Sequence, residues 1–352
     1  MGTLKVGLVG IGAQMQQNLI PALLQTPDIE IVGACDTEVA NASAIARWIP
    51  GIPTADAVSS MLDTVSMDAI VIACPPHLHR EISMSAMPRG ISVFVERPPC
   101  STLDELRMLV DMARQCGVRT GVGMNQRFAR PIRQLRELAA SAAFGQTSSI
   151  ELTHYADQPR HALPGHDCPL RSLLLGQALQ SIDLAVTFGG GELAGVRSEV
   201  RRHGPGLIVE AECVFSSGAT ARLVVGTTLR DIEFQMKLTG STSTTAELDE
   251  RGNIVVRGAE SGSYAEIDSQ SSSEFGPGRG GYESELHRFF EACRTRTRFE
   301  ADFSSLVAAY RIVEAICEAD NAADRESDAA AMARKDRRAS PSPGAGLGRF
   351  QH

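Results

Sequence analysis

Gly10-Ile11-Gly12-Ala13-Gln14-Met15 sets two glycines two positions apart, and Asp36 closes the next apolar run. That spacing suits a tight turn that a phosphate can approach. Gly10 permits the turn and Gly12 leaves the backbone bare. The free N–H groups of a following helix, at Ala13, Gln14 and Met15, then face the anion. Met15 stands where a third glycine is usual. An acid about 20 residues on accepts hydrogen bonds from a ribose 2′-hydroxyl, and Asp36 has that placement. The chemistry is dinucleotide binding. Thr37 and Glu38 follow Asp36, so no arginine is at hand for a 2′-phosphate and the acid would repel one. NAD is therefore expected over NADP.

Other reactive side chains fall in short stretches. Cys74-Pro75-Pro76-His77-Leu78-His79 follows an apolar run, and Glu96-Arg97-Pro98 follows another. Glu96 and Arg97 read either as site residues or as a local ion pair. Gln180 and Asp183 lie one helical turn apart, so both can face a cleft. The same spacing puts Leu179, Ile182 and Val186 on a core face, which would leave Asp183 an ordinary helix acid. Tyr155 and His166 are further proton-carrying candidates, by a hydroxyl relay or a pKa near neutrality, against the plain alternative of a surface loop. His166, Asp167 and Cys168 are too close in sequence for one zinc site, and no metal is expected.

The elements that must position these groups alternate in the N-terminal half. Val6–Val9, Ile29–Cys35, Asp68–Ala73, Ile91–Glu96 and Val118–Gly123 read as buried strands. Helices are expected between them, the one over Leu103–Gln115 opened by a capping box at Thr102 and Glu105. Such alternation implies a parallel sheet with helices on both faces and ligands at the carboxyl ends of its strands. Gly10, Asp36, Pro75, Glu96 and Asn125 all fall there. After about residue 124 the pattern changes to strands with one-sided burial, typical of an antiparallel sheet. They are Ile150–Tyr155, Val196–Val200, Leu207–Phe215, Thr220–Gly226 and Glu233–Thr239, with helices at Leu173–Phe188, Ser284–Thr295 and Phe303–Ala319. The Ser- and Gly-rich stretch Gly262–Gly281 is expected to be a loop. The reading is α/β: residues 1–124 a Rossmann dinucleotide-binding domain, 125–320 an α+β substrate and oligomerisation domain, and 321–352 a disordered tail.

The chain has 352 residues and a formal net charge of -8. Length favours two domains. The charge argues against nucleic acid and anionic membranes as partners, and no apolar run reaches membrane-spanning length. The eight cysteines show no paired spacing, which reads as reduced thiols in a cytoplasmic protein.

The ordered set VGLVGIGAQM, DAIVIACPPHLH, VFVERP, GMNQRF, QSIDLA and GYESELHRFFEACR resembles the Gfo/Idh/MocA family over roughly residues 4 to 318. The resemblance implies a Rossmann domain followed by a large open, mostly antiparallel sheet. It implies a nicotinamide cofactor and hydride transfer at a small hydroxyl-bearing, sugar- or cyclitol-like substrate. It also implies His79 near the cofactor, Glu96 at the nicotinamide, Arg127 near the domain junction as a salt bridge or substrate contact, and a homo-dimer or homo-tetramer paired through the sheet. Val209, Cys213 and Val224 are expected to give that sheet surplus apolar surface. Two positions depart from the family. Arg97 replaces the lysine that serves the reacting oxygen, and Gln180 replaces a histidine three residues before Asp183. Arginine stabilises an oxyanion but is a poor proton donor. The expectation is an NAD(P)-dependent oxidoreductase with atypical acid/base residues, Arg97, Asp183 and Gln180, suited to an imine or activated ketone. The alternative is a non-catalytic sensor that keeps the pocket.

Overall fold

The computed structural model describes residues 2–157, 161–227, 233–258, 264–267 and 280–339. Six parallel strands build the first sheet: β1 (Leu4–Val9), β2 (Ile29–Cys35), β3 (Thr54–Ala55), β4 (Ala69–Ile72), β5 (Ser92–Val95) and β6 (Thr120–Val122). Their order is β3-β2-β1-β4-β5-β6. The order reverses between β1 and β4, and at that switch point a crevice opens beyond the strand ends. Strands β4 and β5 are buried on both faces, as a parallel sheet covered on both sides requires. The helix Leu103–Cys116 is capped as its sequence predicts: the Thr102 hydroxyl accepts from Glu105 N at 3.2 Å, while Glu105 Oε2 accepts from Ser101 N at 2.9 Å.

The second sheet has eight strands: β7 (Thr147–Tyr155), β8 (Leu193–His203), β9 (Gly206–Phe215), β10 (Thr220–Gly226), β11 (Glu233–Gly240), β12 (Thr245–Leu248), β13 (Ile254–Arg257) and β14 (Tyr264–Ile267). Their order is β14-β13-β12-β11-β7-β10-β9-β8, antiparallel except where β7 meets β10. Helices Leu179–Gly189 and Val307–Ala339 cover the inner face. The helix Tyr282–Thr295 returns to the first sheet, where Phe289 meets Phe94 edge-on at 5.3 Å.

Several expectations need adjustment. The helix expected over 173–188 is two, Pro169–Gly176 and Leu179–Gly189. Strand β14 lies inside the stretch expected to be a loop; residues 262–263 and 268–279 lie outside the described ones. Of the expected disordered tail, residues 321–339 are helical, because alanine carries the highest helix propensity; residues 340–352 lie outside the described ones. Val209 and Cys213 are buried on the inner face, so they leave no apolar surplus. The outer face is charged instead: Arg197, Glu212, Arg222, Glu151, Lys237 and Glu247 pair strand to strand in one register row of alternating sign.

Candidate active site

The turn after β1 is built for close approach. Gly10 has φ +80°, and a Cβ there would sit 2.6 Å from Cys74 N, so only glycine fits. Gly10 N donates to Cys35 O at 2.9 Å, tying the turn to the end of β2. A Cβ on Gly12 would meet nothing within 4 Å. That open space is where a side chain would obstruct a phosphate. Ala13 and Gln14 begin the helix, which widens into a π turn over Met15–Leu19. Met15 is fully buried and packs into the core in place of the usual third glycine. Asp36 Oδ2 accepts from Ile11 N at 2.7 Å, and Oδ1 from Glu38 N at 2.8 Å. A carboxylate has about four acceptor sites, so capacity remains for ribose hydroxyls. The residues fit a dinucleotide.

Pro75 is exposed at the end of β4 and opens the short turn Pro76–Leu78. His79 is buried. Its Nδ1 lies 2.8 Å from Pro98 O and its Nε2 lies 2.7 Å from Cys74 O. Both nitrogens are turned to backbone, so the ring ties the loop after β4 to the loop after β5 and offers neither nitrogen to a cofactor. Burial holds its pKa below the ordinary histidine value despite the two carbonyls.

Glu96 follows β5 and is 9% exposed. Its Oε1 accepts from Gln14 Nε2 at 2.9 Å, and the same amide donates to Tyr282 OH at 3.1 Å. Gln14 thereby fastens the phosphate-turn helix to Glu96 and to the returning helix. Burial raises the Glu96 pKa, against the pull of Gln14 and Arg97. Arg97 is half-buried, and its Nη1 donates to Gly176 O of the second domain.

His154, on β7, is the residue that sequence reasoning passed over for its neighbour. Its Nδ1 pairs with Ser181 Oγ at 2.9 Å, and its ring meets Phe234 edge-on at 5.9 Å. Burial, helped by the charge of Arg97, lowers its pKa to about 4. The signal was the alternation Ile150, Leu152, His154, which puts all three on the inner face. The same alternation turns Tyr155 to the outer face, where its ring covers Gly226. His166 sits in the loop before helix Pro169–Gly176, with Nδ1 3.0 Å from Ser172 Oγ and Nε2 buried without a partner among the described residues. Neighbouring Gly165 packs on His77, bringing this loop against the first domain. Burial lowers the His166 pKa.

The segment after β6 joins the domains. Gln180 Nε2 donates to Asn125 Oδ1 at 2.8 Å, and its Oε1 accepts from Gln126 N at 3.1 Å. Arg127 grips both oxygens of Asp183, with Nε to Oδ2 at 2.5 Å. Arg127 Nη1 also donates to Glu300 O at 2.6 Å. Asp183 is 1% exposed. Gln180, Asp183 and Arg127 are thus held between helix Leu179–Gly189 and the segment after β6, away from solvent. Glu285, fully buried in the returning helix, accepts from Met124 N at 2.6 Å.

A nucleotide-binding domain whose strand-end loops touch a second, open-sheet domain, as Arg97 does at Gly176 and His77 at Gly165, defines the class of two-domain dinucleotide-dependent oxidoreductases. Residues 4–124 match the family described as oxidoreductases with an NAD-binding Rossmann fold, Gfo/Idh/MocA. A crystal structure of a dehydrogenase from Chromobacterium violaceum is 49% identical, with a TM-score of 0.90, covering 94% of this chain and 99% of that one. The D-glucoside 3-dehydrogenase of Escherichia coli K12 is 28% identical over 143 residues, 41% of each chain. The fold is shared with an Agrobacterium radiobacter oxidoreductase in complex with NAD+, L-tartaric acid and magnesium, at a TM-score of 0.78 and 16% identity over 90% of this chain and 96% of that one. The chain spans 41%, 37% and 58% of the length of the first three curated relatives it matches. It belongs to the Gfo/Idh/MocA family of NAD-binding oxidoreductases.

Proposed function

We propose that the protein is an NAD(H)-dependent oxidoreductase acting on a small carbonyl, imine or hydroxyl-bearing substrate of sugar or cyclitol type, with Arg97 and His154 as its polar working groups. The observation that carries this reading is that Arg97, at the end of β5, reaches across to Gly176 O of the second domain, with its charge opposing protonation of His154 there. Arg97 stands at the carboxyl end of β5, on the same edge of the parallel sheet as the open Gly12 turn. The nicotinamide, when bound, supplies or accepts the hydride. Gly10, Gly12 and Asp36 hold the dinucleotide, with Pro75 and Glu96 toward its reactive end. Arg97 carries a fixed charge that stabilises negative charge on the reacting oxygen. His154, neutral at neutral pH, gives or takes a proton through the ring nitrogen that does not face Ser181. Asp183 and Gln180 act by fixing the domain junction.

A second reading is favoured by the saturation of Gln180 and Asp183: a binding or sensor protein that keeps the cofactor pocket without turnover. Ketose, cyclitol and imine panels, followed by nicotinamide absorbance, separate the two. Turnover on any of them supports the enzyme; cofactor binding without turnover supports the sensor. The alternating charge row on the outer sheet face supports pairing with a second copy, since six alternating charges meet opposite signs when the row is reversed end to end. Light scattering that gives only a monomer mass at micromolar concentration would contradict this pairing.

A further inference from the structure

Two carboxylates meet below the strand ends. Glu96 lies over Gly123: a Cβ there would be 2.7 Å from Glu96 Oε2. Glu285 lies on the next residue, its Oε1 taking the Met124 N–H at 2.6 Å. Glu285 is 0% exposed and Glu96 9%. They approach one peptide from two elements distant in sequence. Glu96 has two donors, Gln14 Nε2 at 2.9 Å and Arg97 N at 3.3 Å. Among the described residues Glu285 has one, and its Oε2 is buried without a partner.

We propose that Glu96 and Glu285 form a buried acid pair that couples cofactor oxidation state to protonation: Glu285 stays neutral, and Glu96 gives up its proton to solvent when the cationic oxidised nicotinamide docks beside it. The proposal rests on the reading of this site as a nicotinamide pocket. Two carboxyls sharing a dry site do not both ionise readily, and the better-solvated, better-donated member ionises first. Burial raises both, and charge on Glu96 raises Glu285 further. The other groups facing the pair are Arg97, Arg127 and Tyr282. The two arginines keep their charge throughout the working range. Tyr282 is itself pushed up to about 12 by burial and the nearby acids, so it stays neutral. The oxidised ring brings a positive charge that favours ionised Glu96. The reduced ring is uncharged and brings no such bias.

The test is calorimetric titration of the full chain with NAD+ and, separately, NADH, from about pH 5 to about pH 8, which spans the range above the ordinary glutamate value. Each is run in two buffers of different ionisation enthalpy, which counts protons. The expected result is proton release with NAD+ and none with NADH. NAD+ affinity should rise up to about tenfold per pH unit on the acid side and level off above it. Glu96→Gln should bind both and abolish the difference. Glu285→Gln, which keeps the shape of the neutral acid, should retain it. Difference infrared spectra of the unsubstituted protein give a variant-free check: NAD+ should bleach a protonated-carboxyl band and NADH should not. Equal proton counts for the two cofactors, a difference surviving Glu96→Gln, its loss in a folded Glu285→Gln protein, or an unchanged band would each overturn the proposal. If neither cofactor binds, the nicotinamide reading itself fails and the coupling falls with it.

Discussion

Arg127 and Asp183 form a two-pronged ion pair at the junction of the domains, one side chain from the segment after β6 and the other from the helix under β7. Both are almost wholly buried. The guanidinium grips both oxygens of this helix acid, and Asp183 is only 1% exposed. Removing one partner strands the other's charge in a dry site.

Asp183→Asn should therefore destabilise the protein by about 3–5 kcal/mol. Arg127→Met should cost a similar amount, and the double variant much less than the sum. Urea denaturation midpoints at constant m-value measure this. Additive losses would show that the pair is not coupled.

Much of this architecture was legible in the sequence. The parallel sheet, the glycine turn, Asp36 and the cap at Thr102 follow from local pattern, because periodicity and turn chemistry act over a few residues. What was not legible depends on long-range pairing. His154 and Tyr155 are neighbours in sequence, and only the register of β7 on β10 and β11 decides which faces inward. His79 reads as a cofactor ligand until both its carbonyl partners are seen. Val209 and Cys213 alternate correctly for one-sided burial, yet the sequence alone does not say that helices cover that side. Glu285 carried no local signal, since an acid in an amphipathic helix is ordinarily on its wet face.

Gly12→Val should leave folding intact while weakening NADH binding at least about tenfold, or about 1.4 kcal/mol. No described atom comes within 4 Å of the new side chain's Cβ. Gly10→Ala should instead destabilise the fold, because its Cβ would strike the Ala73–Cys74 backbone. Melting temperature and NADH fluorescence titration separate the two effects. Unchanged NADH affinity in Gly12→Val would remove the phosphate from this turn.

NADH should bind more tightly than NADPH. Asp36 is held facing the turn by Ile11 N and Glu38 N, so a 2′-phosphate would meet a fixed carboxylate. Parallel titrations decide the point, and tighter NADPH binding would reverse the assignment.

His154 gives a pH signature independent of any substrate. Its ordinary value of 6.5 falls to about 4 in the fold. Between those values the unfolded chain binds more protons, so stability rises with pH across the window and is lost as pH falls through it. The shift corresponds to about 3 kcal/mol at most, and solvent at the half-buried ring reduces it to about 1–3 kcal/mol. His154→Gln should flatten the stability profile there. Arg97→Met should narrow the window by letting the ring titrate higher. A profile unaltered by either change would place His154 in water, away from Arg97.

Turnover of the unsubstituted protein, Arg97→Lys and Arg97→Met across pH, with cofactor affinity determined separately, tests the central claim most directly. Arg97→Lys should keep part of the activity and gain a new pH dependence, because lysine can lose its proton in a partly desolvated cleft. Arg97→Met should lose on the order of 10²–10³ in turnover, as when one oxyanion stabiliser is removed, while NADH affinity changes little. An Arg97→Met protein as active as its parent would contradict the account.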